Sequence, residues 1–161
     1  MGVESLNRPS REEFAPFLAE VEPRLLQALM ARYGPVDGRE ATVDALSWAW
    51  ENWGRLSTVD NRAGYLYRVG QSATRRFSAR PIPHELRLVE GHEPPEVEPG
   101  LVEALKGLSE QQRTVVMLVH AFGWRQTEVA ELLDVGSSTV REHLARALAR
   151  LRKELQVQDA K

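Results

Sequence analysis

The stretch Leu108–Arg152 constrains the fold of this chain more than any other part. Ser109 and Gln112 have the spacing of a capping box, in which the hydroxyl and the amide side chain each satisfy a free backbone N–H at a helix start. Apolar residues then recur at the spacing of one buried helix face, at Val115, Leu118, Val119 and Phe122. Gly123 ends the run. The pattern predicts a helix that starts at about Ser109.

Two shorter amphipathic segments follow this helix. The first has an apolar stripe at Val129, Leu132 and Leu133 and is expected to end near Asp134–Gly136. Ser137 or Ser138 can cap the second, whose apolar side comprises Val140, Leu144, Ala147, Leu148 and Leu151. Two short helices joined by a tight turn are typical of a helix-turn-helix, which places its second helix in the major groove of duplex DNA.

The opposite side of the last helix is polar and basic, as a DNA-reading face requires. Between Ser137 and Lys153 there are five basic residues and one acidic residue. The candidate DNA contacts on this helix are Ser138, Thr139, Arg141, Glu142, His143, Arg146 and Arg150. Glu142 is unusual there because a carboxylate repels phosphate, although it could accept a hydrogen bond from a cytosine amino group.

Charge is distributed unevenly along the chain. The formal net charge of −2 argues against a general nucleic-acid coat protein. However, the segment from Asn61 to Arg80 contains five arginines and no acidic residue, whereas five glutamates and one arginine lie between His84 and Pro99. Two basic regions separated by an acidic one predict two contact points on a polyanion.

Composition and spacing predict an all-α protein with two small helical domains. The 161 residues are 42% apolar, and nearly every periodic segment has helical spacing. Prolines, glycines and glutamates crowd into residues 81–100, which we interpret as an acidic linker between domains at 12–80 and 101–155. The C-terminal domain is the one that contains the helix-turn-helix.

The composition also limits cofactors and location. The chain has no cysteine, so it has neither disulfides nor thiolate metal sites, and we expect no metal or other cofactor. No apolar run approaches the roughly 18 residues of a membrane span, and the first residues lack a hydrophobic signal region. We therefore expect a cytoplasmic protein without membrane contact.

Within the predicted N-terminal domain, the segment Asp37–Trp53 has two different faces. Asp37 can cap a helix together with Glu40. At about 100° per residue, one side collects the expected core residues Val43, Leu46, Ala49, Trp50 and Trp53, and the other collects Asp37, Glu40, Asp44, Trp48 and Glu51. The second face is either a solvated acidic surface or a protein-binding surface. A large aromatic among carboxylates favours protein binding.

The next predicted helix, Gly64–Phe77, combines aromatic and basic side chains. Leu66, Val69, Ala73 and Phe77 are expected to point inward, which leaves Tyr67, Arg68, Gln71 and Arg75 outside. Rings and guanidinium planes stack on unpaired bases while the charge follows the phosphates, so this face is suited to single-stranded nucleic acid. A solvated basic face is the alternative.

Taken together, the two domains resemble the bacterial sigma factors of the minimal, extracytoplasmic-function type. The segment LSEQQR, the Gly-aromatic step and TEVAELLDVGSSTVREHLARALARLR look like region four of that family. DGREATVDALSWAW looks like its core-polymerase-binding helix, and RAGYLYRVGQSATRR looks like its promoter-melting helix. This chain departs from the usual pattern at Val43, Leu46, Ser72, Arg125 and Asp134, where the family more often has Gln, Phe, Asn, Ser and Gly.

The resemblance implies a function that the spacing alone does not. It implies binding to core RNA polymerase through the DGREATVDALSWAW helix, with Glu40, Asp44 and Trp50 at the family's acidic, acidic and aromatic positions. From the two faces of the helix, we place the polymerase contact at Asp37, Glu40, Asp44, Trp48 and Glu51. The resemblance also implies reading of a duplex minus-35 element through Arg141, Glu142, His143 and Arg146. It also implies capture of a single-stranded minus-10 element by the loop Ser57–Arg62, which includes Asn61 and Arg62, and by the helix with Tyr67, Arg68 and Arg75. An anti-sigma factor is an implied further partner. The acidic linker would either thread through the polymerase or act as a plain tether.

Other classes of protein fit the sequence less well. A sigma-like regulator could act by sequestering a protein through the acidic face, and a helix-turn-helix repressor could act by occluding a promoter. An enzyme would need a site that the sequence does not provide, because the four histidines are scattered and neither a phosphate-binding loop nor a nucleophile elbow is present. We therefore expect a protein that is not an enzyme.

Overall fold

The computed structural model describes residues 8–77 and 100–159, and the side chains of residues 8–74 and 100–156. These residues form helices and connecting turns, as expected for the all-α class. The helices are α1 (Arg11–Tyr33), α2 (Pro35–Glu51), α3 (Trp53–Leu56), α4 (Arg62–Phe77), α5 (Leu101–Lys106), α6 (Glu110–Val116), α7 (Gln126–Leu133) and α8 (Ser137–Asp159), with a π-helical segment at Met117–Ala121. In the described part of the chain, no helix is long and apolar enough to span a membrane.

The first helical group, α1–α4, is built around the long helix α1. A capping box starts this helix, because Ser10 Oγ accepts from the Glu13 N–H at 3.2 Å and the Glu13 side chain accepts from the Ser10 N–H at 3.0 Å. Leu25, Leu29 and Leu66 are completely buried between α1, α2 and α4. At the other end, Trp50 and Trp53 pack edge to face on phenylalanine rings with centroids 5.0 to 5.5 Å apart, and the rings of Phe14 and Phe17 are tilted to each other at 5.7 Å.

Helix α2 is rotated relative to its predicted orientation. Val43, expected in the core, is 63% exposed, and the side that faces α1 and α4 consists of small residues, namely Gly38, Ala41, Thr42, Ala45 and Ala49. The backbone of α1 lies so close at Met30 that a methyl group added to Gly38 would lie 2.6 Å from it. A branched side chain does not fit there. The helix also begins at Pro35, so Asp37 lies within its first turn and does not cap it.

The second helical group, α5–α8, contains the predicted helix-turn-helix. The capping box of Ser109 and Gln112 is present at the start of α6, and Gly123 follows the π-helical segment with φ 71°. Helices α7 and α8 are joined at Asp134, which has the left-handed φ of 55°. Helix α8 starts at Ser137, so neither Ser137 nor Ser138 occupies the capping position that we predicted. The apolar side of α8 is buried at Val140, Leu144, Ala147 and Leu151.

The two helical groups are packed against each other through α1, α4, α6 and α7. Several of these contacts are polar. Arg32 Nη2 and Glu110 Oε2 are 3.0 Å apart, and the Trp124 indole donates to Gln27 Oε1 at 2.7 Å. The sequence predicted two domains but gave no indication that they are in contact.

Candidate functional site

The outer face of α8 presents most of the predicted DNA-contacting side chains to solvent. Arg141, Arg146 and Arg150 are exposed, as is Ser138, whereas Thr139 is half-buried. Glu142 lies one helical turn before Arg146 and forms an ion pair with it, and both side chains are more than half exposed. Glu142 is therefore paired within its own helix, and this pair orients the Arg146 guanidinium.

His143 differs from the other predicted contacts on α8. It is half-buried, and its Nδ1 is buried without a hydrogen-bond partner among the described residues. The ring lines a cavity of about 230 Å³ between the two helical groups, together with Arg32, Tyr67, Arg68 and Gln71. In this arrangement, His143 faces the N-terminal group and not the outer face of α8.

The predicted strand-binding loop is held in place by its own side chains. Asn61 Oδ1 accepts from the Gly64 N–H at 2.9 Å and thereby caps the start of α4, while Asn61 Nδ2 donates to the carbonyl of Glu131 in the other helical group. Arg62 Nη2 donates to the Ser57 carbonyl at 3.1 Å, and its guanidinium lies 5.7 Å from the ring centroid of Trp53.

Two predicted strand-contacting residues of α4 are engaged by the C-terminal group. Tyr67, expected outside, is only 2% exposed because the two groups close over it. Its hydroxyl accepts from Arg32 Nη1 of α1 at 3.5 Å and has a side-chain hydrogen bond with Thr114 of the C-terminal group. Arg68 is exposed but lies 3.4 Å from the carboxylate of Asp134. Arg75 belongs to α4, but its side chain lies outside the described residues.

Burial also changes the pKa of Tyr67. Desolvation raises the pKa of Tyr67 above 10.0, the ordinary value for a tyrosine, and the adjacent guanidinium of Arg32 partly opposes this rise. A side-chain hydrogen bond with Thr114 acts in the same direction as Arg32. The phenol is therefore neutral and well bonded between the two groups.

The outer face of α2 combines acidic and apolar side chains. Asp37, Glu40, Asp44 and Glu51 are exposed, as predicted. Two exposed valines accompany them, Val36 at 69% and Val43 at 63%. Neither valine was predicted to be on this face. The sequence analysis placed Val43 in the core and gave Val36 no role. The i, i+7 spacing of these valines on an acidic helix is the pattern that could have revealed them.

Trp48 borders a groove between α2 and α4. Its ring packs on Tyr65 with the centroids 5.3 Å apart, and it is half-buried. The groove has a volume of about 470 Å³ and is lined by Asp44, Ser47, Trp48, Glu51, Arg55, Tyr65, Val69, Ser72 and Ala73. The combination of an aromatic wall and a carboxylate rim is suited to a partner with both apolar and basic side chains.

Comparison with known proteins identifies both halves of the chain. Residues 100–151 match the family described as Sigma-70, region 4. The RNA polymerase sigma-E factor of Streptomyces antibioticus is 31% identical over 133 residues, which cover 78% of this chain and 74% of that protein. The sigma-E factor of Streptomyces avermitilis is 44% identical over 59 residues, 37% of this chain and 33% of that protein.

A solved structure shares the fold. It is that of the sigma factor RpoE in complex with the anti-sigma factor NepR from Bartonella quintana, with a TM-score of 0.63 and 20% identity over 91% of this chain and 98% of that one. The helix-turn-helix and the similarity to the sigma-E factors lead to one conclusion: this chain belongs to the RNA polymerase sigma factors of the extracytoplasmic-function type.

Proposed function

We propose that the two helical groups of this sigma factor perform different parts of promoter recognition. The chain binds core RNA polymerase and directs it to specific promoters by sequence-specific DNA binding, in keeping with its family. In our proposal, residues 12–80 bind the polymerase and the minus-10 strand, residues 81–100 are the linker, and residues 101–155 bind the minus-35 duplex. Catalysis belongs to the polymerase, and the protein works in the cytoplasm, where polymerase and chromosome are found.

The exposed basic face of α8 is the observation that carries this assignment. Its apolar side is buried against α6 and α7, so Arg141, Arg146 and Arg150 are exposed on the side that can enter a groove. Arginine reads guanine through paired hydrogen bonds in the major groove, and positions near the start of the second helix reach base edges. Ser138, Thr139 and Glu142 lie in the same first turns of the helix.

We assign polymerase docking to the outer face of α2. Asp44 and Glu51 line the groove together with Trp48, and the exposed valines add apolar area. Interfaces gain most of their affinity from a few central anchors, which are often aromatic, while surrounding charges select the partner. An anti-sigma factor, of the kind that RpoE of Bartonella quintana binds, is a candidate competitor for the chain.

Run-off transcription tests the whole assignment. Purified core polymerase and a library of genomic fragments are incubated with and without the chain. We expect specific transcripts only when the chain is present. If the chain binds promoter fragments but no transcript is formed, a repressor or a sequestering regulator becomes the better description.

A further inference from the structure

The side chain of His143 is not explained by the DNA contacts that we propose. Its ring is half-buried and lines the cavity of about 230 Å³ between the two helical groups. Its Nδ1 is buried without a hydrogen-bond partner among the described residues, and so is Nε of Arg32, which lines the same cavity. Folded proteins rarely leave buried polar atoms unpaired. Two such nitrogens on residues of one cavity wall indicate a place where a ligand supplies the missing hydrogen bonds.

The wall of this cavity is cationic. Arg32 and Arg68 both line it, and the described lining residues include no carboxylate side chain. Guanidinium groups bind phosphate through paired, charge-assisted hydrogen bonds, which are stronger than those to neutral acceptors. The amide side chain of Gln71 adds a further donor to the wall. The chemistry of the wall therefore favours a ligand with a phosphate group.

Both arginines also have a carboxylate partner outside the cavity wall. Arg32 Nη2 lies 3.0 Å from Glu110 Oε2, and Arg68 Nη1 lies 3.4 Å from Asp134 Oδ2. The two carboxylate side chains are 59% and 74% exposed, so solvent and salt weaken both pairs. Nε of Arg32 takes no part in either pair. A doubly charged phosphate can therefore bind at Arg32 Nε without displacing Glu110 and can compete with Asp134 for Arg68.

The size of the cavity limits the rest of the ligand. A volume of 230 Å³ corresponds to about seven water molecules and is smaller than the roughly 300–1,000 Å³ of most pockets for drug-sized ligands. Leu133 and Val135 add apolar surface to the wall. The space thus suits a phosphate group with a short organic substituent.

We propose that this cavity is a binding site for a small phosphomonoester. Arg32 Nε and the Arg68 guanidinium donate to its phosphate oxygens, together with Nδ1 of His143 in the tautomer that carries the proton there. A small rotation of the buried groups on binding brings their unpaired nitrogens to the ligand. The site combines α1, α4 and α8, and it is independent of the promoter contacts proposed above.

Calorimetric titration of the full-length chain tests the ligand class. The probes are inorganic phosphate and ribose 5-phosphate, compared with ribose and with dimethyl phosphate, a singly charged diester like the DNA backbone. We expect ribose 5-phosphate to bind with a Kd of about 1 mM or lower, as its size allows, and ribose not to bind. No binding of either phosphate probe would overturn the proposal. Equal binding of dimethyl phosphate would also overturn it, in favour of a DNA phosphate.

Matched variants locate the bound probe. Arg68→Gln and Arg152→Gln remove the same charge from exposed side chains, but only Arg68 lines the cavity. We expect Arg68→Gln to weaken binding of ribose 5-phosphate about tenfold, as the loss of a hydrogen bond to a charged group does, and Arg152→Gln to bind as the wild type does. His143→Gln, with His120→Gln as its control, should show the same contrast. Equal affinities within each pair would place the probe elsewhere and overturn the site.

The competing carboxylate provides a test in the opposite direction. Asp134→Asn should strengthen binding of ribose 5-phosphate by up to about fivefold, because it removes the anion that pairs with Arg68. Glu131→Gln makes the same charge change on a nearby exposed residue and should have little effect. In ¹⁵N spectra of the histidine rings, the probe should shift the Nδ1 signal that His143→Gln removes. Equal effects of the two acidic variants, or an unchanged His143 signal, would overturn the proposal.

Discussion

The indole of Trp124 donates a hydrogen bond of 2.7 Å to Oε1 of Gln27, a residue 97 positions earlier in the chain. The ring is 8% exposed, and the guanidinium of Arg24 lies 4.9 Å from its centroid. One side chain of the C-terminal group thus has both its polar edge and its face engaged by α1. Trp124 therefore joins the C-terminal group to α1 at the junction of the two groups.

Replacing Gln27 should weaken this junction. Gln27→Met keeps the length of the side chain but leaves the indole N–H without its acceptor, which costs about 1 kcal/mol. We expect a lower midpoint in urea unfolding and a higher proteolytic susceptibility. Gln156→Met, on an exposed side chain near the end of α8, is the control. An unchanged midpoint for Gln27→Met would show that this hydrogen bond does not hold the groups together.

The ion pair on α8 predicts opposite effects of two substitutions. Arg146→Ala should weaken binding to a specific promoter duplex by about 1–3 kcal/mol if the guanidinium reads a guanine. Glu142→Gln should increase non-specific duplex binding, because it removes a charge that repels phosphate and releases Arg146. Titration with specific and random duplexes measures both. A uniform loss for Arg146→Ala on all sequences would make it a phosphate contact.

Three tryptophans of the N-terminal group should respond differently to replacement by alanine. Trp48 borders the acidic groove, so Trp48→Ala should lower the affinity for core polymerase by about 2 kcal/mol or more. Trp50 and Trp53 pack on Phe14, so their alanine variants should mainly lower the stability of the fold. Titration of core polymerase, with circular dichroism as the folding check, separates the two effects. Full affinity in folded Trp48→Ala would exclude this face as the docking site.

Alkaline pH should destabilise the folded protein through Tyr67. Its pKa is raised above 10.0 by burial, so the unfolded chain loses this proton at lower pH than the folded chain does. The stabilisation is therefore complete below about pH 10 and is lost as the pH rises through the folded-state pKa. Urea unfolding on both sides of this range should show the loss in wild type. Tyr67→Phe should be less stable at neutral pH and should lack this alkaline component, and an identical pH dependence in both proteins would contradict the assignment.

Close packing of α1 and α2 makes an ordinarily favourable substitution unfavourable. Alanine is a better helix former than glycine by about 1 kcal/mol. At Gly38, however, the new methyl group would lie 2.6 Å from the backbone of Met30, and overpacking of this kind costs about 1–3 kcal/mol. Gly38→Ala should lower the free energy of unfolding, whereas Ser47→Ala on the exposed side of the same helix should leave it equal or higher. A stabilised Gly38→Ala protein would show that the helices can move apart freely.

Local patterns predicted those parts of the fold that depend on neighbouring residues in sequence. Ser109 and Gln112 form their capping box, Gly123 ends the helix before it, and the apolar stripe of α8 is buried as its spacing indicates. Each of these features is determined within one or two helical turns. The departure from the family pattern at Arg125 is also explained locally, because Glu128 Oε2 accepts from the Arg125 N–H at 2.8 Å and caps α7.

Features that depend on distant contacts were not predictable in the same way. Helix α2 is buried through Gly38, Ala45 and other small residues because α1 approaches closely, and small residues contribute little to a hydrophobic pattern. Tyr67 is buried by a helical group that begins more than thirty residues later. The prediction that Tyr67 points outward considered α4 alone. It is wrong for the whole chain, because the C-terminal group buries the side chain. The roles of the α8 and α2 faces stay predictions until the experiments above are done.

Covalent connection changes what the weak interface between the groups can achieve. Exposed ion pairs and a few hydrogen bonds would not bring two separate proteins together at micromolar concentration, but joining two groups in one chain raises their effective concentration to about the millimolar range. Contact between the two groups is then independent of how much sigma factor the cell contains. It follows that a single proteolytic cut between residues 77 and 100 would release the two groups from each other, although every contacting side chain would still be present.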